Sequence, residues 1–272
     1  MLSELTIGQF FPGRSPLHRM DPRVKLVVIF TYIVLIFVPQ NWLGLGLGLA
    51  FLLTGVLLSQ LPVRLILRSL RPILFIVLIT SVLNILYIDS GAVLLQWGWL
   101  KITTGGISNA VFIALRILAL IVGSSLLTYT TSPTTLTDAM ERLMSPLRVI
   151  RINVHEIAMM MTIALRFIPT LMEETDKIMS AQKARGADLE SGNLLQRVRA
   201  LVPILIPLLV SSFRRAADLA TAMECRCYHG GDGRTRMKQL HVRRSDVCYL
   251  LATAALLAAM ILCNLLLPSA LI

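Results

Sequence analysis

This 272-residue chain is short of charge. Asp, Glu, Lys and Arg together make up 15% of it, where a soluble domain carries about a quarter. Aromatic residues are scarce at 6%, and 15 acidic residues stand against 26 basic ones. The four cysteines, at 225, 227, 248 and 263, fall late in the chain without framework spacing, which argues against a disulfide scaffold. These deficits exclude a disordered chain and fit poorly with an ordinary soluble enzyme or a secreted scaffold. A net charge of +11 would point to nucleic acid in a soluble protein. Here the placement of the charges decides otherwise, because apolar residues make up 56% of the chain and mean hydropathy is +0.74. The composition is that of an all-α polytopic membrane protein.

No charge occurs from Leu26 to Val63, 38 residues interrupted by Pro39-Gln40-Asn41-Trp42. A span needs about 20 residues, so this run predicts two helices joined by a tight turn. Gly44 and Gly48 form a GxxxG within the second, a spacing that suits close helix packing rather than a nucleotide loop. A third span is expected from Pro72 to Ile88, then an interfacial loop over 90–106 with Trp97 and Trp99, and a fourth span from Ile107 to Tyr129. A fifth runs from Val247 to Leu267. The domain plan is therefore an N-terminal segment 1–25, transmembrane helices 1–4 over 26–129, a polar-flanked segment 130–245, and a last transmembrane helix within 246–272. With this topology, 24 of the 26 Lys and Arg lie on one side. The positive-inside rule makes the N-terminus and residues 130–245 cytoplasmic, in a multi-pass membrane protein. A cleavable signal is not expected at the N-terminus, which has no small-residue cleavage site after a short apolar run.

Residues 130–245 read as long amphipathic helices at the membrane surface. Ser132-Pro133 starts one helix, which carries an apolar stripe through Leu136, Met140, Leu143 and Met144 until Pro146. Asn153 with Glu156 starts a second, directed toward Gly186 with a kink expected at Pro169. A third runs from Leu194 to Cys225, softened by Pro203 and Pro207. Crossing by 157–172 and 200–213 would put the five basic residues of 173–199 outside, against the charge rule. Nine of the 12 methionines lie in this segment. Met140, Met144, Met159, Met160 and Met161 suit either core packing or an adaptable apolar surface for partners of varied shape.

Two of these helices end alike, in Ala184-Arg185-Gly186 and Cys225-Arg226-Cys227. An Arg in the last turn suits the negative helix end, and Gly186 can take a left-handed cap. Small neighbours let the backbone approach a groove while the guanidinium makes forked contacts to a carboxylate. A plain basic C-cap accounts for each motif alone. The chain as a whole resembles the transmembrane coupling subunit (T component, EcfT) of energy-coupling factor transporters. The resemblance rests on Gly8-Gln9-Phe10, Pro12-Gly13, Leu17-His18-Arg19-Met20-Asp21-Pro22-Arg23-Val24-Lys25-Leu26, Thr131-Ser132-Pro133, Phe167-Ile168-Pro169-Thr170-Leu171, Ala181-Gln182-Lys183-Ala184-Arg185-Gly186 and Ala222-Met223-Glu224, in that order.

That resemblance implies a non-catalytic subunit of an ATP-driven vitamin or micronutrient importer. Two ABC-type ATPases bind ATP and Mg, one on each Arg motif, and a separate substrate-binding S component shares the bilayer. No cofactor or metal and no nucleic acid is implied for this chain. It has no GxxxxGK[ST] loop to hold ATP itself. The second motif departs from the family pattern: Cys227 in place of Gly removes the easy left-handed cap, leaving the helix end open to a shift toward Gly230-Gly231. Arg116 lies within a span and is a functional candidate by position, either as a structural tie, with Asn84 or Asp89 nearby, or as a partner contact. Cys225-x-Cys227-x-His229 is a weak metal signal, lacking a fourth ligand at standard spacing beyond Asp232 or His241. Glu173-Glu174 with His155 offers an alternative reading as a membrane-embedded hydrolase, although Ile178 stands where that motif wants a basic residue.

Overall fold

A computed structural model describes residues 10–88, 90, 92–97, 100–150, 153–187, 193–230 and 240–266. Gly8, Gln9, Asp89, Trp99, Gly231 and Asp232 of the sequence reading lie outside these residues. The described chain is helical except for one two-stranded ribbon, and it divides into two compact units, residues 8–139 with 239–272 and residues 1–7 with 140–238.

The first unit begins with a short helix α1 (Pro16–Arg19), capped by Ser15, followed by α2 (Pro22–Leu35), capped by Asp21. In α2 the Asp21 carboxylate accepts from the Arg23 N–H at 2.9 Å and Pro22 opens the first turn, an arrangement that starts a helix with no orphaned donor wasted. Then follow α3 (Trp42–Ser59), α4 (Val63–Tyr87), the antiparallel strands β1 (Val93–Trp97) and β2 (Leu100–Thr103), α5 (Thr104–Thr130), α6 (Pro133–Leu143), which continues into the second unit, and, after that unit, α9 (Arg244–Leu266). The ribbon replaces the expected loop. Extended Thr103 both ends it and caps α5, donating to the Ile88 carbonyl at 2.7 Å and accepting from Gly106 N–H at 3.1 Å.

Close packing in this unit rests on small residues, as the GxxxG spacing predicts. A Cβ on Gly48 would stand 2.9 Å from Met260 of α9 and 3.0 Å from Ile36, and one on Gly123 would stand 2.6 Å from the Tyr32 ring. Four helices, α2, α3, α5 and α9, therefore meet at van der Waals distance around Ile36, Leu45 and Tyr32, all buried.

The first expected span is shorter than the sequence suggests. At 14 residues, α2 reaches only about 21 Å, against about 30 Å of hydrocarbon. Its two ends are pinned to α5. Just before the uncharged run, Lys25 Nζ donates to Thr130 O and Thr131 Oγ1, each at 3.0 Å. Burial lowers that ammonium to about 8, against the raising influence of Asp246. At the other end, Arg116 Nη2 donates to Pro39 O at 2.5 Å, and its guanidinium sits 4.8 Å from the centre of the Phe112 ring. From α9, Asn264 Nδ2 donates to Val38 O at 2.7 Å. The first 12 residues of α5 thus continue roughly 18 Å past the α2–α3 turn. Arg116 is a tie to that turn in this structure; Asn84 lies instead beside Asn109, at 3.5 Å.

In the second unit, Ser145–Ile150 form a 3-10 turn, followed by α7 (Val154–Ala184) and α8 (Leu194–Glu224). Asn193 and Gln196 form a full capping box at the start of α8. Pro169 stays within α7, and Pro203 and Pro207 within α8. Among the described residues, six helices are long and apolar enough to cross a membrane, by length and composition alone: α3, α4, α5, α7, α8 and α9. At 14 residues α2 falls outside this set, whereas α7 and α8 fall within it, where spans were not expected.

Arg116→Leu is expected to lower stability by about 1–3 kcal/mol, because the Pro39 carbonyl loses its donor in a dry site. Thermal unfolding of the detergent-purified chain reads this directly, and an unchanged midpoint would contradict the structural tie.

Candidate functional site: two arginine-ended helices

The two Arg motifs have one backbone geometry. At the end of α7, Gly186 N–H bonds Lys183 O and Ala187 N–H bonds Gln182 O, both at 3.0 Å, with Gly186 at φ +86°. At the end of α8, Cys227 N–H bonds Glu224 O at 2.9 Å and Tyr228 N–H bonds Met223 O at 3.1 Å, with Cys227 at φ +54°. Both are Schellman closures, residue for residue. The expected shift toward Gly230-Gly231 does not occur: Cys227 itself takes the left-handed conformation, because the paired 6→1 and 5→2 bonds over-determine it. A non-glycine residue there costs roughly 1–2 kcal/mol. Gly230 is also left-handed, at φ +98°, three residues further on.

Ala184, Arg185, Gly186, Cys225, Arg226 and Cys227 are all exposed, and neither arginine side chain has a hydrogen-bond or ion-pair partner among the described residues. Each motif therefore offers a guanidinium on a closed helix end with slim flanks.

The helices that carry the motifs lie antiparallel. Arg215 of α8 reaches Glu174 of α7 at 2.7 Å, while Gln182, nearer the end of α7, donates to Pro203 O at 3.3 Å, nearer the start of α8. That second bond has a specific origin. Pro207 has no N–H to give the Pro203 carbonyl, and Gln182 supplies the missing donor from the other helix. The antiparallel run puts Arg185 and Arg226 at opposite ends of the pair, roughly 40 Å apart at 1.5 Å per residue.

Among the methionines, Met140, Met160 and Met161 are exposed, whereas Met144 and Met159 are half-buried. A longer apolar stripe was overlooked in the sequence. Val198, Val202, Leu205, Leu209 and Phe213 of α8 follow helical spacing and are 44–74% exposed. The 3.6-residue period was visible there, but the two prolines obscured it.

The groups of the alternative enzyme reading are not brought together. His155 pairs with Glu141 at 3.0 Å and Glu174 with Arg215, and His155 stands about 28 Å from Glu174 along α7. Among the described residues, Cys225, Cys227 and His229 form no group of three able to hold a metal.

A helical chain with several helices long and apolar enough to cross a bilayer is a multi-pass membrane protein. The comparisons name the family. The CbiQ family model, described as cobalt transport protein, matches residues 13–237. The chain is 53% identical over 247 residues to the energy-coupling factor transporter transmembrane protein EcfT of Ruminiclostridium cellulolyticum, covering 91% of this chain and 92% of the relative. It is 52% identical to that of Clostridium kluyveri, over 96% and 97% of the two chains, and 45% identical to that of Bacillus subtilis, over 95% and 97%. The chain belongs to the EcfT family of energy-coupling factor transporter transmembrane proteins. It is a non-catalytic, multi-pass cell-membrane subunit of a transporter.

The left-handed Cys227 makes a prediction of its own. Cys227→Gly is expected to raise stability by about 1 kcal/mol, while Cys227→Ala changes little. Thermal midpoints of the three chains decide it; equal midpoints for Gly and Cys would show that the helix end is not held left-handed.

Proposed function

We propose that the chain is the coupling subunit of an ATP-driven importer of vitamins or related micronutrients. Arg185 and Arg226, with their small neighbours, each seat on one of two ABC-type ATPases. An apolar surface of the same helices holds a separate membrane protein that binds the substrate. The observation that carries this reading is the repetition of one helix-end geometry at the two far ends of an antiparallel helix pair. A single basic cap needs no partner, but two matched arginines, unpaired among the described residues and roughly 40 Å apart, suit two copies of one kind of groove. The relatives' name places such a protein in an energy-coupling factor transporter, which implies ATPase and substrate-binding subunits.

The basic residues concentrated in 1–25, 64–71 and 130–245 make that side cytoplasmic, where the ATPases have their nucleotide. ATP and Mg belong to those partners, and this chain carries no cofactor. Its task is mechanical. Nucleotide binding and hydrolysis change the spacing of the ATPases, α7 and α8 carry the change, and the substrate-binding subunit responds in the bilayer. Met140, Met144, Met159, Met160 and Met161, together with the stripe on α8, form its docking surface, since Met repacks against partners of differing shape.

Arg185→Glu and Arg226→Glu are each expected to weaken capture of the ATPase pair by at least about tenfold, and the double variant to abolish it. Co-purification of tagged ATPases from membranes tests this; undiminished capture by the double variant would refute the docking assignment. Met160→Glu with Met161→Glu is expected to reduce capture of substrate-binding subunits while ATPase capture holds. The reverse ranking would place the substrate-binding subunit elsewhere.

A further inference from the structure

The α4–α5 pair carries a recess that the coupling role leaves unused. It has a volume of about 270 Å³ and is lined by Arg68, Ser69 and Pro72 of α4 and by Ser125, Thr128 and Tyr129 of α5, with Ser124 at its edge. Pro72 opens it. Proline has no N–H for the Arg68 carbonyl and its ring holds the preceding turn away, so the helix presents an unbonded acceptor next to a gap. Tyr129, also in its wall, directs its Oη to Leu65 O at 3.5 Å.

The recess is chemically one-sided. Ser69 and Ser124 donate to their own helices, at 2.7 Å to Ile66 O and 3.0 Å to Ile121 O. The hydroxyls of Ser125 and Thr128 have no hydrogen-bond partner among the described residues, and the Arg68 guanidinium has no ion-pair partner there. Neither α4 nor α5 contains an acidic residue, and Arg64, Arg68 and Arg71 form a positive row at one end of the pair with no ion-pair partner among the described residues. One cation and two free hydroxyl donors fit an anion with several acceptor oxygens. The apolar side chains beside the recess point to its source. Leu67, Leu74 and Phe75 are 52–70% exposed on α4, a surface that belongs against acyl chains.

We infer that this recess binds the phosphate head group of an anionic phospholipid of the phosphatidylglycerol class, in the leaflet at the arginine-rich end. The phosphate oxygens take the Arg68 guanidinium and the Ser125 and Thr128 hydroxyls. A head-group glycerol hydroxyl donates to the Arg68 carbonyl that Pro72 leaves free. The acyl chains run along Leu74 and Phe75. A zwitterionic choline head group lacks the hydroxyl donor and finds no acidic side chain for its ammonium.

The test uses the complete detergent-purified chain with three probes: dihexanoyl phosphatidylglycerol, dihexanoyl phosphatidylcholine and inorganic phosphate. Thermal unfolding and lipid retention in native mass spectrometry are read together. Phosphatidylglycerol is expected to raise the midpoint and be retained, and Arg68→Gln to weaken its apparent affinity at least about tenfold. Arg68→Lys should keep part of it. Ser125→Val should lower it too, while Arg64→Gln, an exposed arginine outside the recess, should not. Ser125→Val decides the matter if Arg68→Gln fails to fold. Equal phosphatidylglycerol binding by the wild-type chain and both recess variants would overturn the site. Equal response to the choline lipid would overturn the anionic head group, and an equal response to inorganic phosphate would overturn the lipid.

Discussion

Where a helical ladder stops or is broken, a peptide carbonyl loses its donor, and at four such places in this molecule a side chain from another helix supplies one. Lys25 serves the end of α5 at Thr130, Arg116 and Asn264 serve the turn at Pro39 and Val38, and Gln182 serves the carbonyl that Pro207 strands in α8. Each donor comes from a different helix than its acceptor. Backbone breaks that would be untenable facing lipid are thereby converted into cross-links between helices. The cost of the breaks and the specificity of the packing are the same physical fact.

Most helices were legible because their signals are local. Pro133 behind Ser132 and Asn153 before Glu156 mark starts that the structure keeps, while α4 begins at Val63, nine residues ahead of the expected Pro72. What escaped depends on partners distant in sequence. Nothing local in Leu26–Val38 says that α2 stops short of a full span; that follows from donors on α5 and α9. The ribbon at 93–103 was read as a loop because its few β-favouring residues are spread around two tryptophans. The arginine ends were found from residue types alone, but their shared closure was not, since Cys at 227 argues locally against the conformation it adopts.

The equivalence of the two arginine ends is therefore geometric before it is chemical. Side chains differ at both flanks, while the hydrogen bonds and the sign of φ agree. A binding groove that reads a closed helix end with a projecting guanidinium would accept either. This explains how Cys225 and Cys227 can stand where Ala and Gly stand in the first motif without altering the shape offered.

The bond from Gln182 to Pro203 O has a mechanical side. It sits two residues before Ala184 and at the proline-weakened start of α8, so it joins one handle of the helix pair to the hinge of the other helix. A pair held at opposite ends is turned by a couple rather than pushed along a line. If both ends were held as proposed, the Gln182 bond would share such a turn between the two helices, whereas without it the prolines would let α8 bend on its own.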